Sequence, residues 1–292
     1  MEFKNSAIDL IKIRKSIRSY GNDELKDEVK KNIADIIKKD HKTIFGCKMR
    51  FEFVDAPNLE PDEIKNLGTY GMITGPKYFI AGVIKKNNKD FCLVDFGYVF
   101  EKIILHMTDL GLGTCWLGGT FNKKGFSNKV AIEKDEVIPG ISPVGIISNK
   151  RHFESSMIRT FARSKKRKPW NKLFFKDSFL SPLEEADSGI YKVPLEMVRQ
   201  GPSASNLQPW RVIKEKNKNN FHFFIKRSKF YPRRAIYLNL QYIDLGIALS
   251  HFELTALELG IEGKWEAIDN IPENKKYKIP SNIEYVISWS GA

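Results

Sequence analysis

Two stretches of the chain, DFGYVFEKIILHMTDLGLGTCW from Asp95 and DLGIALSHFELTALELGIEGKW from Asp244, follow one plan. At an offset of 149 residues they share Asp95 and Asp244, Gly97 and Gly246, Leu105 and Leu254, Leu110 and Leu259, Gly111 and Gly260, and Trp116 and Trp265. Unrelated apolar helices share leucines readily. Agreement at both ends, with the glycine that stops the helix and the tryptophan beyond it, marks an internal duplication. Each helix is apolar nearly all round and so needs burial on every face. Two such helices can bury each other about a pseudo-twofold axis, as a homodimer written in one polypeptide.

The flanking segments fit two rounds of this plan. Ile8, Leu10, Ile11 and Ile13 give an N-terminal helix of about three turns; Leu25, Val29, Ile33 and Ile36 mark a second helix with Asn22 as its cap. MRFEFVD, KYFIAGVIK and SPVGIIS read as strands. After the polar stretch from Lys176 to Gly189 the order restarts: the helix VPLEMVRQ, the strands WRVIKE and FHFFIKR, the second apolar helix, and the strand EYVISWS. The expected fold is α+β, with two tandem halves, 1–180 and 181–292. Each half has a small, mainly antiparallel sheet flanked by helices, and the halves pack as a pseudo-dimer through the central apolar helices.

Charge and cysteine content narrow the function. The net charge of +13 is scattered along helix faces and strand ends beside acids, which is a solvated surface rather than a nucleic-acid footprint. The exception is ARSKKRKPW, where five cations fall between Arg163 and Lys168, dense enough to hold an isolated anion such as phosphate. No apolar run is long enough to span a bilayer, and the N-terminus lacks the apolar core of a signal peptide, so a cytoplasmic protein with no membrane or nucleic-acid partner is expected. Cys47, Cys92 and Cys115 have no paired spacing and read as reduced thiols. No metal-ligand spacing is present, and Ser203 and Ser205 have no nearby histidine to activate them.

What remains is a set of anion donors and an amide-rich loop. In RKSIRSY an extended chain puts Arg14, Ser16 and Arg18 on one face, with Lys15 on the other. Lys165 and Arg167 add cations suited to bidentate phosphate contacts. GPSASNLQPW, Gly201 to Trp210, offers hydroxyls and amides suited to a planar heterocycle, held between Pro202 and Pro209. TCWLGG, from Thr114, supplies backbone N–H groups where glycine permits close approach.

RKSIRSY, LGLGTCWLGG, KRKPW and GPSASNLQPW together resemble the signature segments of the nitroreductase family, FMN-dependent α+β oxidoreductases built as intertwined dimers with the flavin at the interface. The resemblance covers most of the chain. It implies that Arg14, Lys15, Ser16 and Arg18 hold the FMN phosphate and ribityl chain, and that Arg167 and Lys165 close on the phosphate. It implies further that the loop from Thr114 binds the cofactor, with Leu117, Gly118 and Gly119 bringing backbone N–H groups to the flavin N5 and O4, and that Pro202, Ser203, Ala204, Asn206 and Gln208 meet the flavin from the other half. GTYGMITGP, Gly68 to Pro76, stands where the family's pyrimidine-contacting segment does.

The departure from the family is that each motif occurs once and the motifs are split between the halves. One FMN per chain follows, with the mirror position between HKTIFGCKMR and GIEGKWE empty. The expected activity is ping-pong hydride transfer from NAD(P)H to a small electron-poor acceptor, a nitroaromatic or quinone, by a protein monomeric as an intrachain pseudo-dimer. No catalytic acid or base and no metal are assigned, because the isoalloxazine carries the redox chemistry. A non-catalytic flavin carrier or sensor is the alternative.

Overall fold

The computed structural model describes residues 2–56, 73–86, 90–148, 166–228, 239–267 and 277–292. They form two compact units, Met1–Ser155 and Ser156–Ala292. The division expected near residue 180 therefore lies earlier, because strands of the second unit's sheet begin at Phe174.

In the first unit, helix α1 (Ala7–Ile13) starts where the Ser6 hydroxyl accepts the Asp9 N–H, and it buries Ala7, Leu10 and Ile11. It has two turns rather than three because Arg14, with ψ 127°, has already left helical geometry. Helix α2 (Asp27–Lys38) buries Ile33 and Ile37 and begins after Lys26. Asn22 does not cap it; its carbonyl instead accepts the Lys77 ammonium at 2.7 Å. Strands β1 (Met49–Asp55), β2 (Tyr78–Lys85), β3 (Gly113–Thr114) and β4 (Glu136–Gly145) make an antiparallel sheet in the order β1-β2-β4-β3. The long helix α3 (Phe91–Asp109) lies on it, and the short helix α4 (Lys123–Lys129) follows. Phe51 of β1 stacks on Phe96 and Phe100 of α3. A Cβ at Gly82 would come within 2.3 Å of the Phe96 ring, so glycine there sets how closely helix and sheet approach.

The second unit repeats this plan and adds to it. Helix α5 (Lys192–Gln200) precedes β7 (Trp210–Lys214) and β8 (Asn220–Lys226); helix α6 (Leu240–Glu258) precedes β9 (Gly263–Glu266) and β10 (Ile283–Gly291). The order β7-β8-β10-β9 matches β1-β2-β4-β3 strand for strand. Strands β5 (Phe174–Lys176) and β6 (Ser178–Pro182) extend the sheet beyond β7, with β5 parallel to it. Phe221, Phe223, Phe252 and Trp289 fill the core.

The duplication read from sequence is therefore structural. Helices α3 and α6 both have 19 residues, at the same offset of 149. Gly111 and Gly260 end them at φ +75° and +69°, a conformation glycine adopts without steric cost. The same closing bond follows each: Leu112 N–H to the Met107 carbonyl and Ile261 N–H to the Ala256 carbonyl. Trp116 packs edge-on against Phe100, and Trp265 packs against Phe252.

The cysteine reading is corrected. Cys47 and Cys92 form a disulfide, with Cα atoms 5.4 Å apart, and only Cys115 is free and buried. A separation of 45 residues hid the pairing; the fold creates it by bringing the loop before β1 to the start of α3. Among the described residues no helix is long and apolar enough to cross a membrane, and no cluster suited to a metal ion occurs.

Candidate functional site

Beyond α1 the chain runs extended. Ile17 N–H donates to the Thr114 carbonyl at 2.7 Å, Thr74 N–H to the Arg18 carbonyl at 2.8 Å, and Tyr20 N–H to the Thr74 carbonyl at 2.9 Å. This ties the segment to the loop after α3 and fixes the alternation read from sequence. Ile17 is buried and Lys15 exposed on one alternation, while Arg14, Ser16 and Arg18 share the other. These three converge on Cys115. Burial pushes its thiol pKa up, against the pull of the Arg18 charge, a Ser16 hydrogen bond and the Arg14 charge.

Arg14 is the most constrained of the three. Its side chain is 6% exposed, and its Nε lies 3.7 Å from Glu101 Oε1, which is fully buried on α3. Glu101 Oε2 receives the Trp116 indole N–H at 2.6 Å. Both Nε and Nη1 of Arg14 are buried without a hydrogen-bond acceptor. A buried guanidinium with unused donors favours an anionic acceptor, and Ser16 and Arg18 stand on the same face.

The loop after α3 is only partly as expected. Thr114 is buried in β3 and its carbonyl holds the Arg14–Arg18 segment. Leu117 does not offer its N–H to a ligand, because Leu117 and Ile141 exchange backbone hydrogen bonds at 2.9 Å in both directions. The open backbone in this loop is that of half-buried Gly118 and exposed Gly119, in a bend just beyond.

In the second unit, α5 ends at Gly201 and GPSASNLQPW folds into a braced turn. Ser205, Asn206 and Gln208 have φ of 50°, 54° and 46°, three non-glycine residues in the left-handed region within four positions. Such strain persists only where surrounding bonds over-determine it. Ser203 supplies two of these bonds: its hydroxyl accepts the Gln208 N–H at 2.8 Å and its carbonyl the Asn206 N–H at 2.9 Å. Ala204 N–H is held by Asp244 Oδ1 at 2.8 Å. Pro202 is half-buried at the entry.

The loop's amides grip the basic segment. Gln208, 2% exposed, accepts the Lys168 N–H on Oε1 at 2.7 Å and donates from Nε2 to the Lys166 carbonyl at 3.2 Å. Asn206 donates to the same carbonyl at 2.8 Å, and its Oδ1 accepts from Arg167 Nη1 at 3.4 Å; Arg167 Nη2 reaches the Gln200 carbonyl at 2.9 Å. Arg167 thus lies in the unit that carries the loop, whereas the sequence reading placed it with the first half. Gln208 braces the turn from within. Lys165 and the start of GTYGMITGP, Gly68 to Met72, lie outside the described residues.

Sequence reasoning missed how the repeated aspartates act. Asp95 accepts the N–H groups of Ile44, Phe45 and Cys47 at 2.8 to 3.1 Å, organising the loop before β1; Asp244 does the same for the loop before β7 with one N–H. Burial raises both pKa values. Three amides hold Asp95 back, whereas fully buried Asp244, with one, is pushed up to about 8. The signal was present in the aligned helices, where this aspartate is the one acid identical in both.

Residues 7–256 match the family described as "Putative TM nitroreductase". The chain belongs to this nitroreductase family. Among solved structures, the "putative nitroreductase" of Thermotoga maritima aligns over 100% of this chain and 95% of its own, with TM-score 0.58 at 20% identity. An FMN-dependent nitroreductase of Clostridium difficile aligns with 51% of this chain and 93% of its own, with TM-score 0.40 at 20% identity. A nitroreductase of Desulfitobacterium hafniense, solved with bound FMN, aligns with 52% of this chain and 96% of its own, with TM-score 0.38 at 17% identity. No curated protein matches the chain. The nitroreductase-like α+β fold expected from the motifs is the fold observed. The unused donors of buried Arg14, on the face it shares with Ser16 and Arg18, suit an anionic group such as a phosphate.

Proposed function

We propose that this nitroreductase is an FMN-dependent oxidoreductase that accepts hydride from NAD(P)H and delivers it to a small electron-poor acceptor such as a nitroaromatic or quinone. When bound, FMN supplies the redox chemistry, taking up and releasing two electrons in separate half-reactions. The chain's residues bind and orient. In the first unit Arg14, Ser16 and Arg18 hold the phosphate and Gly118 and Gly119 bring backbone close to the ring; in the second unit Asp244 and Gln208's bonds to the 166–168 segment keep the Pro202–Gln208 loop in shape. The single copy of each motif supports one FMN per chain.

The observation that carries this reading is Arg14, held against Glu101 with two buried nitrogens lacking acceptors on a face shared with Ser16 and Arg18. Its test is reconstitution: full-length protein takes up FMN and the flavin bleaches anaerobically with NADH or NADPH. Protein that stays colourless in excess FMN refutes it.

One observation favours a non-catalytic flavin carrier or sensor instead. The Leu117 N–H, expected to face developing negative charge on the reduced ring, is spent on Ile141. Bound FMN that neither nicotinamide bleaches selects that reading.

A further inference from the structure

On the sheet of the second unit lies a cavity of about 330 Å³, lined by Phe175, Phe179, Ile283, Arg211, Lys226 and Lys172 among others. We infer that this cavity is a second ligand site, for a small aromatic anion: an aryl carboxylate or phosphate whose ring lies on Phe175 and Phe179 and whose charge faces Arg211.

Arg211 is the reason. Strand alternation puts its neighbours Trp210 and Val212 into the core, and Arg211 on the cavity side, yet it is 5% exposed. Nη1 donates to the carbonyls of Gln208 at 3.0 Å and Trp210 at 2.5 Å. Among the described residues no carboxylate pairs with it. Buried arginines are ordinarily paired, because an isolated buried charge is costly. Burial alone lowers its pKa to about 10.

The other cations reinforce this. Lys226 and Lys172 are exposed at the rim, and neither makes an ion pair among the described residues. Lys168 lies alongside, its Nζ on the Leu207 carbonyl at 2.5 Å and 3.4 Å from the Gln208 carbonyl that Arg211 also uses. Burial, then the charges of Arg211 and Lys226, push its pKa down to about 8. Like charges gathered with no acid among them favour an anion as the missing partner. The aromatic and aliphatic floor selects an anion with an apolar body over a bare inorganic one.

The cavity is lined by Lys172 and by residues of β5–β8 and β10, none of them among the side chains proposed to hold flavin, and it touches the Pro202–Gln208 loop only where Arg211 bonds the Gln208 carbonyl. Calorimetric titration of the full chain, as purified, with naphthalene-2-carboxylate tests it, against 2-naphthalenemethanol and inorganic phosphate as controls. The expected result is one carboxylate per chain, bound at least tenfold more tightly than either control and without displacing flavin. Lys172→Gln and Lys226→Gln, both at exposed positions, each weaken it about threefold, and Arg211→Lys weakens it about tenfold. Equal affinity for the alcohol or for phosphate, insensitivity to both lysine substitutions, or displacement of flavin by the carboxylate overturns the inference.

Discussion

Asp244 Oδ1 accepts the Ala204 backbone N–H at 2.8 Å, while Oδ2 is buried without a hydrogen bond. The carboxyl keeps its proton to about pH 8 in the folded chain but ionises near 3.9 when unfolded. The unfolded state therefore binds fewer protons between those values. The stability this group contributes is complete below pH 4 and is lost as pH rises to 8. Asp244→Asn keeps an acceptor for Ala204 and cannot ionise. It should unfold with a flatter pH dependence from pH 5 to 8 and gain more than about 1 kcal/mol at pH 8. Chemical denaturation at several pH values checks this; parallel curves for the two proteins would refute it.

Arg14 is expected to matter to flavin through its planar fork as well as its charge. Arg14→Lys keeps the charge beside Glu101 but loses bidentate geometry, so FMN affinity should fall about tenfold, near 1.4 kcal/mol. Fluorescence titration of FMN into the apoprotein measures it. An unchanged dissociation constant would remove Arg14 from the phosphate site.

Gln208 braces its loop through three partners: Lys168, Lys166 and Asn206. Gln208→Leu leaves the Lys168 N–H and the Lys166 carbonyl without this partner, at a cost of about 1 to 3 kcal/mol. The melting temperature should drop, and FMN affinity with it. A fall in affinity at unchanged stability would instead make Gln208 a direct ligand contact.

The Cys47–Cys92 disulfide closes a 45-residue separation, so Cys47→Ser with Cys92→Ser should cost about 2 to 4 kcal/mol. Thiol titration of the denatured, unreduced protein should find one reactive thiol, Cys115. Three thiols would contradict the pairing.

The sequence carried the parts of the fold that repeat or alternate. The helices around Asp95 and Asp244 were legible because an all-apolar helix ended by glycine has few other readings, and β1 was legible from its aromatic residues. The boundary near residue 155 was not, since β5 joins its sheet by parallel pairing with β7, across a gap that no local pattern records. At the site, the shared face of Arg14, Ser16 and Arg18 followed from strand alternation. The Leu117–Ile141 exchange, the Glu101 partner of Arg14 and the Cys47–Cys92 bond did not, because each depends on long-range pairing that only the folded chain establishes.

A flavin protein with one site per chain makes a countable prediction. The direct measurement is the visible spectrum of the purified, FMN-reconstituted chain, with flavin released and counted against protein. Flavin absorbance and a ratio near one are expected; a ratio near two, or protein that takes up no FMN, rules out a single flavin site in each chain.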